Sequence, residues 1–324
     1  MKILVTGATG FLGAHVVRCL LHDGHQVRIL RRKTSSTIDL DGLIFETAIG
    51  DICDANALSS ALQGVDAVIH AAALISYWEP ERDEVYRVNA EGTRCIADAA
   101  LSAGVKRFVH VSTVMAVGVP VSGMRANETQ SYNFDRVGCD TIYSRSKYLA
   151  EDHIQSAVAR GLPAVIVNPG AIIGPMDRRR IVGGLFFPGK LNQYFYISGG
   201  MSAVDVEDVA SGIVRALNVG RVGERYLLTG EDVSYREMRA VIAEEMGTPR
   251  PCIRIPSFVL KFASVLGEVV SRITQKRPRI PLPMARMLAH ELYFSSHKAQ
   301  SELGWSYRPY RESVCRALAW HASV

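Results

Sequence analysis

Short runs rich in aliphatic and β-branched residues recur along the first two-thirds of the chain. They are KILVT (2–6), QVRIL (26–30), LIFETA (43–48), DAVIH (66–70), RFVHVS (107–112), AVIVN (164–168) and RYLLT (225–229). Between most of them lie longer stretches with apolar positions at helical spacing, several closed by a glycine: Gly24, Gly64, Gly104 and Gly161. A glycine just past the last periodic residue ends a helix because it takes the left-handed conformation at little cost. Strands that are apolar at nearly every position and alternate with helices are covered on both faces. The pattern predicts an α/β, doubly wound parallel sheet, a Rossmann-type fold.

After about residue 170 the pattern changes. Residues 171–203 are rich in glycine and aromatics and read as loop with little regular structure; 204–229 return to helix and then strand. From 234 onward the chain reads as mostly helical, broken by prolines at 249, 251, 256, 278, 281 and 283. The expected division is a sheet domain of residues 1–170 plus 204–233 and a smaller, mostly helical lobe of 171–203 plus 234–324. Within that lobe, SFVLKFASVLGEVVSRI (257–273) has polar residues only at 257, 261, 264, 268, 271 and 272. Its broad apolar face is expected to pack inside the lobe, with a lid or a membrane-surface contact as alternatives.

The first strand runs into the first helix through VTGATGFLGAHVV, which holds Gly7, Gly10 and Gly13. A pyrophosphate bound at a helix N-terminus needs a tight turn and close backbone approach, and only glycine permits both. The strand-then-helix context separates this loop from a chance glycine triplet. Thr9, Phe11 and Leu12 lie among its contact candidates, and the sheet domain becomes a candidate dinucleotide-binding domain. Arg31 follows the second strand, 18 positions past Gly13. An acidic residue there would hold a ribose 2′-hydroxyl; an arginine favours the 2′-phosphate of NADP, with Arg32 and Lys33 in reserve and NAD as the alternative. After the third strand, GDICD places Asp51 to hydrogen-bond an adenine and Ile52 to pack on its ring.

Composition narrows the remaining classes. Among 324 residues, 48% are hydrophobic and 21% charged, with a formal charge of +5, as in an ordinary soluble globular protein. The basic clusters at 31–33, 178–180 and 276–277 are too short for a nucleic-acid stripe and read as anion contacts or solvated loops. Six dispersed cysteines without a CxxC pair argue against zinc, any other metal site and a disulfide framework. Free thiols, a strand-like start and no apolar run of about 18 residues point to a cytoplasmic protein without an integral membrane segment, acting on a small molecule.

YSRSK (143–147) sets Tyr143 and Lys147 four apart, on one face of a helix. Alone, the pair is equally a surface tyrosine beside a surface lysine. The order of motifs decides: GATGFLG (7–13), GDICD (50–54), HAAA (70–73), VNAEGT (88–93), the ST of VSTV (111–114), YSRSK and NPGAIIGP (168–175). Together they resemble the extended short-chain dehydrogenase/reductases of the NAD-dependent epimerase/dehydratase family, nearest the dihydroflavonol reductase-like and 3β-hydroxysteroid dehydrogenase-like branch.

The resemblance implies that Tyr143 is the general acid at the carbonyl oxygen and that Lys147 binds the nicotinamide ribose and lowers the tyrosine pKa. It implies that Thr113, with Ser112 as neighbouring candidate, hydrogen-bonds the same oxygen; many relatives carry serine at the matching position. A phenol titrates near 10, so action near neutrality asks for a shift of about three units, or about 4 kcal/mol, and an adjacent ammonium has the right sign. Ala71, Ala72 and Ala73 would line the cofactor's path, Asn89 would be a structural asparagine, and Asn168, Pro169 and Gly170 would sit at the carboxyl edge of the sheet. His70 reads as a core histidine. Tyr77, Trp78, Phe186, Phe187, Tyr194 and Phe195 are candidates for a substrate pocket or for the smaller lobe's core.

The expected activity is NADP(H)-dependent interconversion of a ketone and a secondary alcohol on an apolar or aromatic small molecule. The alternatives are a nucleotide-sugar epimerase/dehydratase that holds its cofactor tightly, or a non-catalytic NADP-binding regulator. The resemblance also implies a homodimer.

Overall fold

The computed structural model describes residues 1–178, 194–278 and 280–323. Strands and helices alternate as β1 (Lys2–Thr6), α1 (Phe11–His22), β2 (Gln26–Arg31), β3 (Glu46–Ile49), α2 (Ala55–Leu62), β4 (Ala67–His70), α3 (Arg82–Tyr86), α4 (Gly92–Ser102), β5 (Arg107–Val111), α5 (Ile142–Ala159) and β6 (Ala164–Pro169). There follow β7 (Ala171–Ile173), β8 (Phe195–Ile197), β9 (Gly200–Asp205), α6 (Val206–Val219), β10 (Arg225–Leu228), β11 (Glu231–Ser234) and α7 (Tyr235–Glu245). The chain ends with β12 (Ile253–Ile255), α8 (Ser257–Thr274), α9 (Leu282–Met287), β13 (Glu291–Leu292), α10 (His297–Leu303) and α11 (Tyr310–Ser323).

Seven of the strands form one parallel sheet in the order β10-β6-β5-β4-β1-β2-β3. One core packs α1, α6 and α10 on one face, around Val16, Val17, Ile213, Leu217 and Leu303. The other packs α2, α4 and α5 on the opposite face, around Leu58, Ile96 and Ile154. Both faces are covered, as the apolar strand runs require. The four expected stop glycines all have positive φ: Gly24 +77°, Gly64 +68°, Gly104 +66° and Gly161 +105°. The chain reverses direction across the sheet between β1 and β4, and the crevice at their carboxyl ends is the place where such folds bind ligands.

Between α3 and α4 the residues Arg87–Glu91 form a π-helical turn, so the two helices are continuous but out of phase. Such turns concentrate at functional sites, and this one carries the fully buried Asn89.

Two expectations are corrected. The stretch 171–203 is not all irregular: it contains β7, β8 and the start of β9, and 234–324 holds β12 and β13. β9 pairs with β11 on one side and with β7 and β13 on the other, and β8 pairs with β12. Strands of two or three residues built by distant pairing carry no readable alternation. The apolar face of 257–273 is the second correction. The helix forms, but Phe258, Phe262, Leu266, Val270 and Ile273 point outward while Ser264 and Ser271 are buried.

Candidate active site

The glycine loop packs where the strand order reverses. Gly7 has φ +73°, and a Cβ there would stand 2.5 Å from the Ala72 nitrogen; a Cβ on Gly13 would strike the Gly7 carbonyl. The loop therefore approaches β4 and folds on itself more closely than any side chain permits. Gly10 is the N-cap of α1, accepts from Ala14 N–H (2.9 Å), and offers no side chain to cap the helix, whose first turn has no acidic residue. Uncapped N–H groups at a helix start suit an anion. Thr9 is half-buried beside Gly10, Phe11 meets His15 edge-on at 6.0 Å, and Leu12 rests against the core.

Arg31 closes β2. Its Nη1 lies 3.3–3.4 Å from the carbonyl oxygens of Arg32, Lys33 and Ser35, and its buried Nε has no hydrogen-bond partner. The orphaned guanidinium nitrogen at the end of β2 and the bare N-terminus of α1 at the end of β1 are each suited to a phosphate. Asp51 accepts from the Cys53 N–H (3.0 Å) and from Arg87 (3.0 Å). Burial raises its carboxyl, but those two partners outweigh it and hold the acid low. Ile52 is turned into the core against Gly92.

Across the crevice, Ala71 N–H donates to the Thr6 carbonyl (3.1 Å) and Ala72 N–H to the Thr6 hydroxyl (3.4 Å); Ala73 is exposed. Asn89 pins the loop that follows. Its Oδ1 accepts from Leu74 N–H (2.7 Å), and its Nδ2 donates to the Leu74 carbonyl and the Ser146 hydroxyl (both 2.9 Å). The loop after β4 is thereby fastened to α5.

The start of α5 is set by a reciprocal cap: the Thr141 hydroxyl accepts from Ser144 N–H (3.0 Å), and the Ser144 hydroxyl accepts from Thr141 N–H (2.9 Å). Tyr143 and Lys147 then project inward from consecutive turns, 8% and 1% exposed. This is not a surface pair. The Tyr77 ring packs edge-on against the Tyr143 ring with centroids 5.8 Å apart, and the Thr113 hydroxyl favours ionisation of the phenol.

Burial pushes the Tyr143 phenol well above its ordinary value; Tyr77 adds to the rise and the Thr113 bond offsets part of it. Lys147 Nζ donates to the Val111 carbonyl (2.9 Å) and lies 3.4 Å from His110 Nε2. Burial lowers the lysine to about 8, with Glu151 opposing.

Behind this pair lies a polar layer that motif reading missed. Thr6, His70 and His110 occupy matching positions on β1, β4 and β5. His70 bridges Thr6 Oγ1 (2.7 Å) and Thr93 Oγ1 (2.9 Å), and Thr93 donates to the Asn89 carbonyl (2.6 Å). Burial, followed by Lys147, takes His70 down to about 3 and holds His110 low as well, so both rings are neutral at pH 7. The signal was present: Thr6 and His70 end β1 and β4, and His110 stands one residue before the end of β5.

Glu151, one turn past Lys147 and 2% exposed, was also missed. It accepts from the Ser112 hydroxyl and from Asn168 Nδ2 (2.6 Å) and pairs with Arg225. Ser112 is thus committed behind the site, which leaves Thr113 as the hydroxyl beside the tyrosine. Asn168 also donates to the Thr113 carbonyl (2.9 Å) and so helps set that residue. Pro169 is buried, and Gly170 lies so close to the Ser202 carbonyl that a Cβ would collide with it.

Of the aromatic candidates, Tyr77 reaches the site, Trp78 lies under the Arg277 guanidinium at 5.6 Å, Phe195 is in β8 and Tyr194 is exposed. Phe186 and Phe187 lie outside the described residues.

Residues 3–228 match the family described as NAD dependent epimerase/dehydratase family. The chain belongs to that family. Members of the epimerase/dehydratase family bind NAD(P), and this chain is an oxidoreductase of its extended short-chain dehydrogenase/reductase group. A Methylococcus capsulatus protein named sterol demethylase protein B is 36% identical, over 99% of this chain and 98% of its own. A Synechocystis sp. protein bearing the name "Putative dihydroflavonol 4-reductase" is 35% identical, over 98% and 93%. The crystal structure of a nucleoside-diphosphate-sugar epimerase from Pseudomonas aeruginosa superposes with a TM-score of 0.83 at 26% identity, covering 100% of this family member and 98% of the other chain.

Proposed function

We propose that the protein reduces a ketone to a secondary alcohol on an apolar or aromatic small molecule, with NADPH as the preferred cofactor. The observation that carries this reading is the buried Tyr143, set beside the Thr113 hydroxyl and walled by Tyr77. With its pKa above the ordinary value the phenol keeps its proton at neutral pH, the form that can give it to a carbonyl oxygen as hydride arrives. Thr113 donates a second hydrogen bond to the same oxygen and keeps it in line with the phenol. Lys147, one turn below, binds the nicotinamide ribose and steadies the phenolate that proton donation leaves.

Gly7, Gly10, Gly13 and the start of α1 hold the pyrophosphate, and Arg31 holds the 2′-phosphate, its Nε having no partner among the described residues. Bound there, the nicotinamide cofactor supplies the hydride. The apolar substrate class rests on Tyr77 at the reacting oxygen and on the names of the sterol and dihydroflavonol relatives. In this reading β7, β8, β9, β11 to β13 and the helices α7, α8, α9 and α11 form the substrate lobe, while α10 packs on the sheet with α1 and α6.

The test is NADPH consumption across aromatic, steroid and aliphatic ketones, wild type against Tyr143→Phe. Turnover on at least one ketone, lost in the variant, is expected. The epimerase likeness at 26% identity favours a second reading, in which cofactor stays bound through purification and no ketone consumes it; that outcome would replace the reductase assignment.

A further inference from the structure

Helix α8 is amphipathic in the reverse sense for a helix at a protein–water boundary. The residues it buries are serines, Ser264 (4% exposed) and Ser271 (9%), and Glu268 accepts from the Leu282 N–H (2.8 Å). The residues it turns outward are Phe258 (71% exposed), Phe262 (65%) and Ile273 (78%), with Val265, Leu266 and Val269 between them. Their spacing of 4, 7, 8, 11 and 15 from Phe258 places all six on one stripe roughly 100° wide. Single exposed apolar residues are ordinary, but a continuous stripe of this kind marks a surface that meets something other than water.

Charge says what it meets. Between residues 250 and 277 there are six basic residues and one acid, Glu268, which faces inward. Arg250 pairs with Glu244 and Arg277 with Glu81, which leaves Arg254, Lys261, Arg272 and Lys276 outside any ion pair among the described residues. Lys261 and Arg272 fall along one edge of the apolar stripe, and Lys276 and Arg277 follow the helix end.

We propose that α8 docks the protein flat on an anionic phospholipid bilayer, with the apolar stripe at the acyl boundary and the basic edge among phosphate headgroups. The long lysine and arginine side chains suit that depth because their stems are apolar and their charged ends stay wet. An antiparallel pairing with a second copy of the chain is disfavoured on the same face, since that two-fold contact would set the basic edge of one helix near the basic edge of the other. A span is excluded for α8, since no described helix is long and apolar enough to cross a membrane and the serine face is occupied by protein. The proposal stands on α8 alone and does not depend on which substrate the active site takes.

The test is co-sedimentation of the full chain with vesicles of phosphatidylcholine alone and of phosphatidylcholine mixed with phosphatidylglycerol, at low and high salt. Binding to the anionic vesicles is expected to be at least about tenfold tighter than to the neutral ones and to weaken with salt. Phe258→Ser with Phe262→Ser should lower it by about tenfold or more. Lys261→Glu with Arg272→Glu should remove the preference for anionic lipid and leave the weak neutral binding. All four side chains are exposed, so an unchanged melting curve verifies the fold of each variant. Absence of binding to anionic vesicles at low salt, or equal binding by wild type and both variants, would overturn the proposal. So would a dimer in sedimentation velocity that the phenylalanine pair splits while vesicles bind nothing.

Discussion

Lys147 carries a charge that the fold resists, and the resistance can be measured. Burial lowers its folded-state pKa to about 8, against about 10.4 in an unfolded chain. Below pH 8 both states hold the proton, and the folded state bears the cost of a buried ammonium. Between about 8 and 10.4 the unfolded chain still binds the proton while the folded one has released it, so stability rises with pH across that window. The difference of about 2.4 units is worth about 3 kcal/mol in all, of which about 2.5 kcal/mol falls between pH 7 and pH 10.

The perturbation is Lys147→Met, which keeps the length of the stem and removes the charge. Urea unfolding of both proteins, without cofactor, at pH 7, 8, 9 and 10 isolates the term, because every other titration is common to the pair. Wild type should gain about 2.5 kcal/mol relative to the variant over that range. The absolute offset at pH 7 includes loss of the bond to the Val111 carbonyl, about 1–3 kcal/mol the other way, so the slope is the decisive quantity. Parallel stability curves, or a wild type that loses stability relative to the variant as the pH rises, would refute the idea that desolvation dominates at this lysine.

Three further outcomes follow from the geometry. Tyr143→Phe should lower turnover by about 10²- to 10⁴-fold with NADPH affinity within a few-fold of wild type, read by steady-state kinetics and fluorescence titration. Arg31→Ala should weaken NADPH by about 10- to 100-fold and NADH little, so that the ratio of the two dissociation constants collapses; equal losses for both cofactors would deny Arg31 the 2′-phosphate. Asn89→Ala should destabilise the fold by about 2–4 kcal/mol in denaturant melts, because it strands the half-buried Leu74 N–H and C=O and takes a partner from the buried Ser146 hydroxyl.

What was legible in the sequence follows from how narrowly each position is constrained. The glycine loop could be read because a backbone approaching within contact distance of another backbone admits one residue type, as Gly7 and Gly13 show. The parallel sheet could be read because strands covered on both faces leave no polar alternation. The pair on α5 could be read because helical spacing alone joins positions 143 and 147. Other features depended on partners far away in the chain. Glu151 looks like any helix-surface acid until Ser112, Asn168 and Arg225 are brought to it. Ser112 and Thr113 are indistinguishable by position, and only the glutamate behind one of them separates their tasks. Periodicity grouped the apolar residues of α8 correctly, yet it holds no information on which way a face will turn.

The π-helical turn at Arg87–Glu91 has a consequence for how this segment can change. A continuous α-helix from Arg82 to Ser102 would be one residue shorter in phase, about 100° of rotation about its axis. As built, Asn89 reaches the loop after β4 while Thr93 still meets His70. Removing a single residue there would draw the segment into a regular spiral and swing one of the two away from its partner. Substitutions in the turn can be absorbed side chain by side chain, but a one-residue deletion alters the phase of every position downstream at once. The extra residue is a geometric comma, and the spelling on either side of it depends on its staying there.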